Sequence, residues 1–115
     1  MLFFNAHAPN SNAKKIGNVV ENRALDSETN LVTIKLETLR EVPNLDDYYL
    51  LAFRGIRRLG NKYHRLQVKT LPDENNLLSF IVPKTGDFKN TLEAIKPGTI
   101  VKIKGPFSDS AKRVS

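Results

Sequence analysis

The chain has 115 residues and a mass of 13.0 kDa, enough for one domain with a single core and no need of disulfides or metal. Hydrophobic residues make up 40% and charged residues 26%, which excludes a largely disordered chain; with no cysteine, a disulfide framework, a thiolate nucleophile and a cysteine zinc site are excluded too. The net charge of +6 is uneven: residues 1–50 carry 5 Lys/Arg against 7 Asp/Glu, residues 51–115 carry 13 against 5, and no acid stands between Leu51 and Pro72.

Residues 1–13 begin with the apolar Leu2-Phe3-Phe4 and continue through Asn, Ala, Ser and Pro, which reads as a mobile lead-in. They are too short and too soon broken by polar residues for a secretory signal. No apolar run is long enough to span a bilayer, so no membrane is expected as a partner. A short strand is expected around Val19 and Val20. Val32, Ile34 and Leu36 alternate with Thr33, Lys35 and Glu37, the period of a half-buried strand. Tyr49, Leu51 and Phe53 repeat that pattern over residues 48–55. Gly60-Asn61 signals a turn. Residues 62–70 then put His64, Leu66 and Val68 on one face. Residues 71–76 read as a loop. Leu78, Phe80 and Val82 form the inward face of a strand stopped by Pro83. Asp87 is placed to cap a helix over residues 88–96, in which Phe88, Leu92 and Ile95 make one apolar stripe ended by Pro97-Gly98. Residues 99–104 alternate again, with Val101 and Ile103 inward and Lys102 and Lys104 outward. Residues 108–115 form a tail. The expected fold is mainly β: a small closed antiparallel barrel, OB-like, over residues 14–107, with one helix near residues 88–96.

Catalytic constellations are not evident. Neither G-x-x-x-x-G-K-[ST] nor G-x-G-x-x-G occurs. His7 and His64 lack metal-ligand spacing, and His64 is expected to be a strand-face histidine with an ordinary hydrogen bond. Asp46-Asp47 and Asp73-Glu74 read as solvated loops. No enzyme activity, metal or cofactor is therefore expected. The informative feature is the outward row opposite His64, Leu66 and Val68: Tyr63, Arg65, Gln67 and Lys69. On the preceding strand Tyr48, Leu50, Ala52 and Arg54 share the corresponding face. Paired as a hairpin, the two strands present Tyr48, Tyr63, Arg54, Arg65 and Lys69 on one surface, with Arg57, Arg58 and Lys62 at the tip. Flat rings stack on bases and cations follow phosphates, so the expected partner is single-stranded nucleic acid, DNA in preference to RNA.

Two family resemblances run through these segments. YYLLAFRGIRRLGNKYHRL, then SFIVPK and IKPGTIVKIKG, resembles the OB-fold single-stranded DNA-binding proteins of bacteriophages, over residues 30–105. That likeness implies non-catalytic binding in replication or recombination, in the cytoplasm of a host cell. Such proteins often carry an acidic tail, whereas this sequence closes on the basic AKRVS. The last barrel strand is expected from the N-terminal segment, and Leu2-Phe3-Phe4 can cover the barrel or join two subunits. GNVVENRALDSETNLVTIKLE, then LSFIVPKTGDFKNTLEAIKPGTIVKIKGPF, is similar to the flavin-binding barrel of the ferredoxin reductase family. This alternative implies a barrel that binds a flavin or a partner protein. The family's R-x-Y-[ST] run falls near His64-Arg65-Leu66-Gln67, without its tyrosine and serine. Its P-G-Q stretch falls near Pro43, where PNLDD stands. The nucleotide-binding domain that follows in that family is not in this sequence, so hydride transfer from a nicotinamide is not expected of it.

Overall fold

The structure, a computed structural model, describes residues 15–37, 42–45, 47–70, 72 and 75–108. The expectations for Leu2-Phe3-Phe4, His7, Asp46 and Asp73-Glu74, for the lead-in, and for the tail beyond Ser108 lie outside those residues.

Six strands form where the apolar residues alternate: β1 (Lys15–Ala24), β2 (Thr29–Leu36), β3 (Tyr48–Phe53), β4 (His64–Thr70), β5 (Leu77–Pro83) and β6 (Ile100–Phe107). They close into an antiparallel barrel in the order β1-β2-β5-β4-β3-β6. The closing contact is between the first and last strands, with Lys15 opposite Ile103 and Asn18 opposite Ile100. The short strand expected around Val19 and Val20 is thus a full wall strand, ten residues long, and its pairing with β6 closes the barrel. Gly17 permits this closure. A Cβ there would stand 2.8 Å from the Lys35 carbonyl oxygen and 3.2 Å from Ile103 Cδ1, so a larger residue would push β1 off its neighbours.

The inward set fills the barrel. Val19, Val32, Ile34, Tyr49, Leu51, Phe53, Leu78, Phe80, Val82, Val101 and Ile103 are fully buried, with Leu66 and Val68 nearly so. Tyr49 meets Phe80 edge-on at 5.7 Å, a favoured aromatic geometry.

The expected helix over residues 88–96 does not form. Two short 3-10 turns stand there instead, Gly86–Phe88 and Leu92–Ala94. Asp87 caps nothing: Thr85 holds the cap position, with no side-chain bond, and the Asp87 carboxylate pairs with Lys62 at 3.2 Å. Thr91, at φ −122°, breaks the helical path between the turns. Nine residues cannot sustain an isolated helix on propensity, so tertiary contacts decide the shape. Those contacts are strong. Phe88, Leu92 and Ile95 are buried as the apolar stripe requires. Asn22 Nδ2 donates to the carbonyls of both Leu92 and Ile95, at 2.8 Å each. The segment closes one end of the barrel, where Phe88 packs edge-on against Phe53 at 6.1 Å.

Ile56 and Leu59, in the β3–β4 connection, add to the core. The Gly60 N–H donates back to the Ile56 carbonyl, and Gly60 sits at φ +60°, a conformation that suits glycine. Asp47 corrects another expectation. It is buried rather than solvated, and its Oδ2 accepts from the Asn44 N–H at 2.9 Å while its carbonyl accepts from the Val68 N–H. It fastens the approach to β3.

Candidate ligand-binding face

β3 lies between β4 and β6, so its outward residues have neighbours on both sides. Tyr48 stands opposite Gln67 of β4 and Phe107 of β6; Leu50 stands opposite Arg65 and Lys104; Ala52 stands opposite Lys102. This grid is the outer face of a three-strand sheet. Two cation–ring contacts are built on it. The Arg65 guanidinium lies over the Tyr48 ring at 3.9 Å. Lys104 Nζ lies over the Tyr63 ring at 4.6 Å. Phe107 adds a third ring, 5.4 Å from Tyr48 and tilted by 32°. A guanidinium or ammonium over a ring face is held by the ring quadrupole, so these side chains are already ordered.

Of the eight residues expected at the site, Tyr48, Tyr63 and Arg65 share this face. Tyr63 immediately precedes β4 and is half-buried; its hydroxyl is shielded from solvent and without a hydrogen-bond partner among the described residues. Lys69 lies two positions beyond Gln67, where it lines a cleft of about 380 Å³ with Leu45, Gln67 and Ile81. Arg54, Arg57 and Arg58 are exposed beyond the end of β3. Lys62 is turned away, toward Asp87. The alternation in residues 100–104 already pointed Lys102 and Lys104 outward. Their place in this site depends on β6 lying beside β3, which no local pattern reveals.

His64 does not have the expected hydrogen bond. Its Nε2 is buried and unpartnered among the described residues, and its ring lies 4.8 Å from Phe88. Burial holds its pKa below the ordinary histidine value; Asp87 opposes that effect and Lys62 adds to it. Among the described residues no group of three His, Asp or Glu side chains could hold a metal ion, and no helix is long and apolar enough to cross a membrane.

The chain matches no protein-family model and no curated protein.

Proposed function

We propose that this barrel holds a flavin nucleotide against the outer face of β3, β4 and β6. The observation that carries the reading is the position of β1. The two segments similar to flavin-binding barrels cover β1 with β2, and β5 through β6, and in the wall these are four consecutive strands, β5-β2-β1-β6. The likeness to phage DNA-binding proteins, over residues 30–105, leaves β1 out. An OB barrel has five strands and reads oligonucleotides across its strands 2 and 3. Here six strands make the wall, and β2 and β3 are not neighbours.

The residues fit the ligand's chemistry. In the R-x-Y-[ST] register, Arg65 supplies the arginine and Gln67 stands where a tyrosine belongs. Tyr48 is the residue directly opposite Gln67, and it touches Arg65. The aromatic partner missing from the run is thus provided across the ladder. Tyr48, Tyr63 and Phe107 offer ring planes to an isoalloxazine. Arg65, Lys69 and Lys104 offer cations to its phosphate. A bound flavin supplies electron or hydride chemistry; the side chains assigned here bind and orient it.

A second reading is single-stranded nucleic acid on the same face. What favours it is the surplus of cations: Arg54, Arg57, Arg58 and Lys102 exceed what one flavin phosphate needs. One pair of titrations separates the two. The flavin reading expects saturable quenching of FMN or FAD fluorescence and no high-affinity binding of labelled oligo-dT. Tight, salt-sensitive oligo-dT binding without a flavin response would overturn it in favour of the second.

A further inference from the structure

We infer, on the flavin reading above, that the face selects a flavin carrying its own phosphate over the bare ring system, because the Arg65 guanidinium closes the ring of Tyr48 until a phosphate draws it away.

Both tyrosine rings of the face are covered by cations of the chain itself. The Arg65 guanidinium stands 3.9 Å from the centre of the Tyr48 ring, where a stacking ligand would have to lie. Phe107 approaches the same ring from β6, 5.4 Å away. Lys104 Nζ stands 4.6 Å from the centre of the Tyr63 ring. Two groups cannot occupy one ring face, so a ligand that stacks on Tyr48 displaces either Phe107 or the guanidinium. Moving Phe107, which is half-buried, would put apolar surface of two rings into water. Arg65 is exposed, and a cation–ring contact at an exposed site is weak. The guanidinium is therefore the group that moves.

A bare ring gives the guanidinium nothing in return for the contact it loses. A phosphate does, because guanidinium–phosphate bonds are charge-assisted and bidentate. The strand sets where that phosphate sits. Arg65, Gln67 and Lys69 follow one another along the outer side of β4 at intervals of roughly 7 Å, and Gln67 is the residue opposite Tyr48. Gln67 and Lys69 also line the cleft of about 380 Å³ with Leu45 and Ile81. A phosphate over Gln67 lies between Arg65 and Lys69 and beside the Tyr48 ring, so a single flavin mononucleotide fills both places. Lys69 stands over no ring among the described residues, and so contributes charge alone.

The test measures FMN and riboflavin binding by flavin fluorescence, on the full parent chain and on Arg65→Ala and Lys69→Gln. The parent chain should bind FMN at least about tenfold more tightly than riboflavin. Arg65→Ala should move the two ligands in opposite directions. FMN should weaken by about tenfold, and riboflavin should tighten by roughly two- to fivefold, the worth of an exposed cation–ring contact. Lys69→Gln should weaken FMN and leave riboflavin at its parent value. Both side chains are exposed, so the thermal midpoints should match the parent. Arg65→Thr, which brings in a better strand former, replaces the alanine variant if its midpoint falls. Riboflavin binding that is unchanged or weaker in Arg65→Ala, with FMN still bound by the parent chain, would overturn the closing role of Arg65 and leave the flavin reading standing. No binding of either flavin by the parent chain would overturn both.

Discussion

Tyr48 and Arg65 are the residues on which the functional reading turns, because each has a role without any change of backbone. Tyr48→Ala removes the ring that faces Arg65 and Phe107 but leaves the inward core untouched. It should weaken ligand binding by roughly 1–3 kcal/mol, the worth of an aromatic stacking contact, while the thermal midpoint stays close to that of the parent chain. Tyr48→Phe should bind almost normally, since the ring does the stacking. An unfolded Tyr48→Ala protein would place the ring in the core and remove it from the site. His64 gives a pH prediction. Its pKa is lowered in the folded chain by burial, so the unfolded chain binds the proton more readily. Stability is then full above the unfolded value of about 6.5 and falls as the pH drops below it. Denaturant unfolding at pH 7.5 and 5.5 should show that loss, and His64→Phe should reduce it. An acid-side loss of equal size in the variant would assign it to other groups.

At the scale of elements, strand faces were legible where apolar residues alternate, and the 3-10 segment was not. Leu78, Phe80 and Val82, and likewise Val101 and Ile103, point inward because period two leaves no other arrangement. Phe88, Leu92 and Ile95 also point inward, but their spacing is shared by a helix and by two separate turns. The choice between them rests on Asn22, 70 residues away from Leu92 in sequence, and on Lys62 drawing off Asp87. Such long-range partners leave no local trace. The same holds for the ligand face: the β3–β4 hairpin could be read from its turn signal, whereas the neighbour on its other side, β6, could not. Leu92→Ala should cost on the order of 2–5 kcal/mol, the range for a core leucine, in denaturant unfolding; a loss below about half a kcal/mol, typical of surface changes, would mean the segment does not seal the barrel. Gly17→Ala should cost about 1–3 kcal/mol, as overpacking does, since the new methyl meets the Lys35 carbonyl on the backbone of β2. A neutral result would show that β1 sits less tightly against β2 than the contacts imply.

For the whole molecule, the charge distribution and the barrel wall favour different ligands. A strand of DNA or RNA held by several of the cations near β3 and β4 would lose affinity steeply with salt, with a log–log slope of roughly −2 to −4 at about −0.7 per phosphate neutralised. The proposed flavin reading rests on the wall, where β1 joins the two segments that resemble the flavin-binding barrel into four consecutive strands. The most direct measurement is the dissociation constant of FMN for the full chain and for Tyr48→Ala, read from flavin fluorescence, with oligo-dT added as competitor. The flavin reading predicts saturable quenching by the parent chain, a dissociation constant at least about tenfold higher in the variant, and no displacement of FMN by oligo-dT. Unquenched FMN, together with oligo-dT binding that shows the steep salt slope, would contradict it.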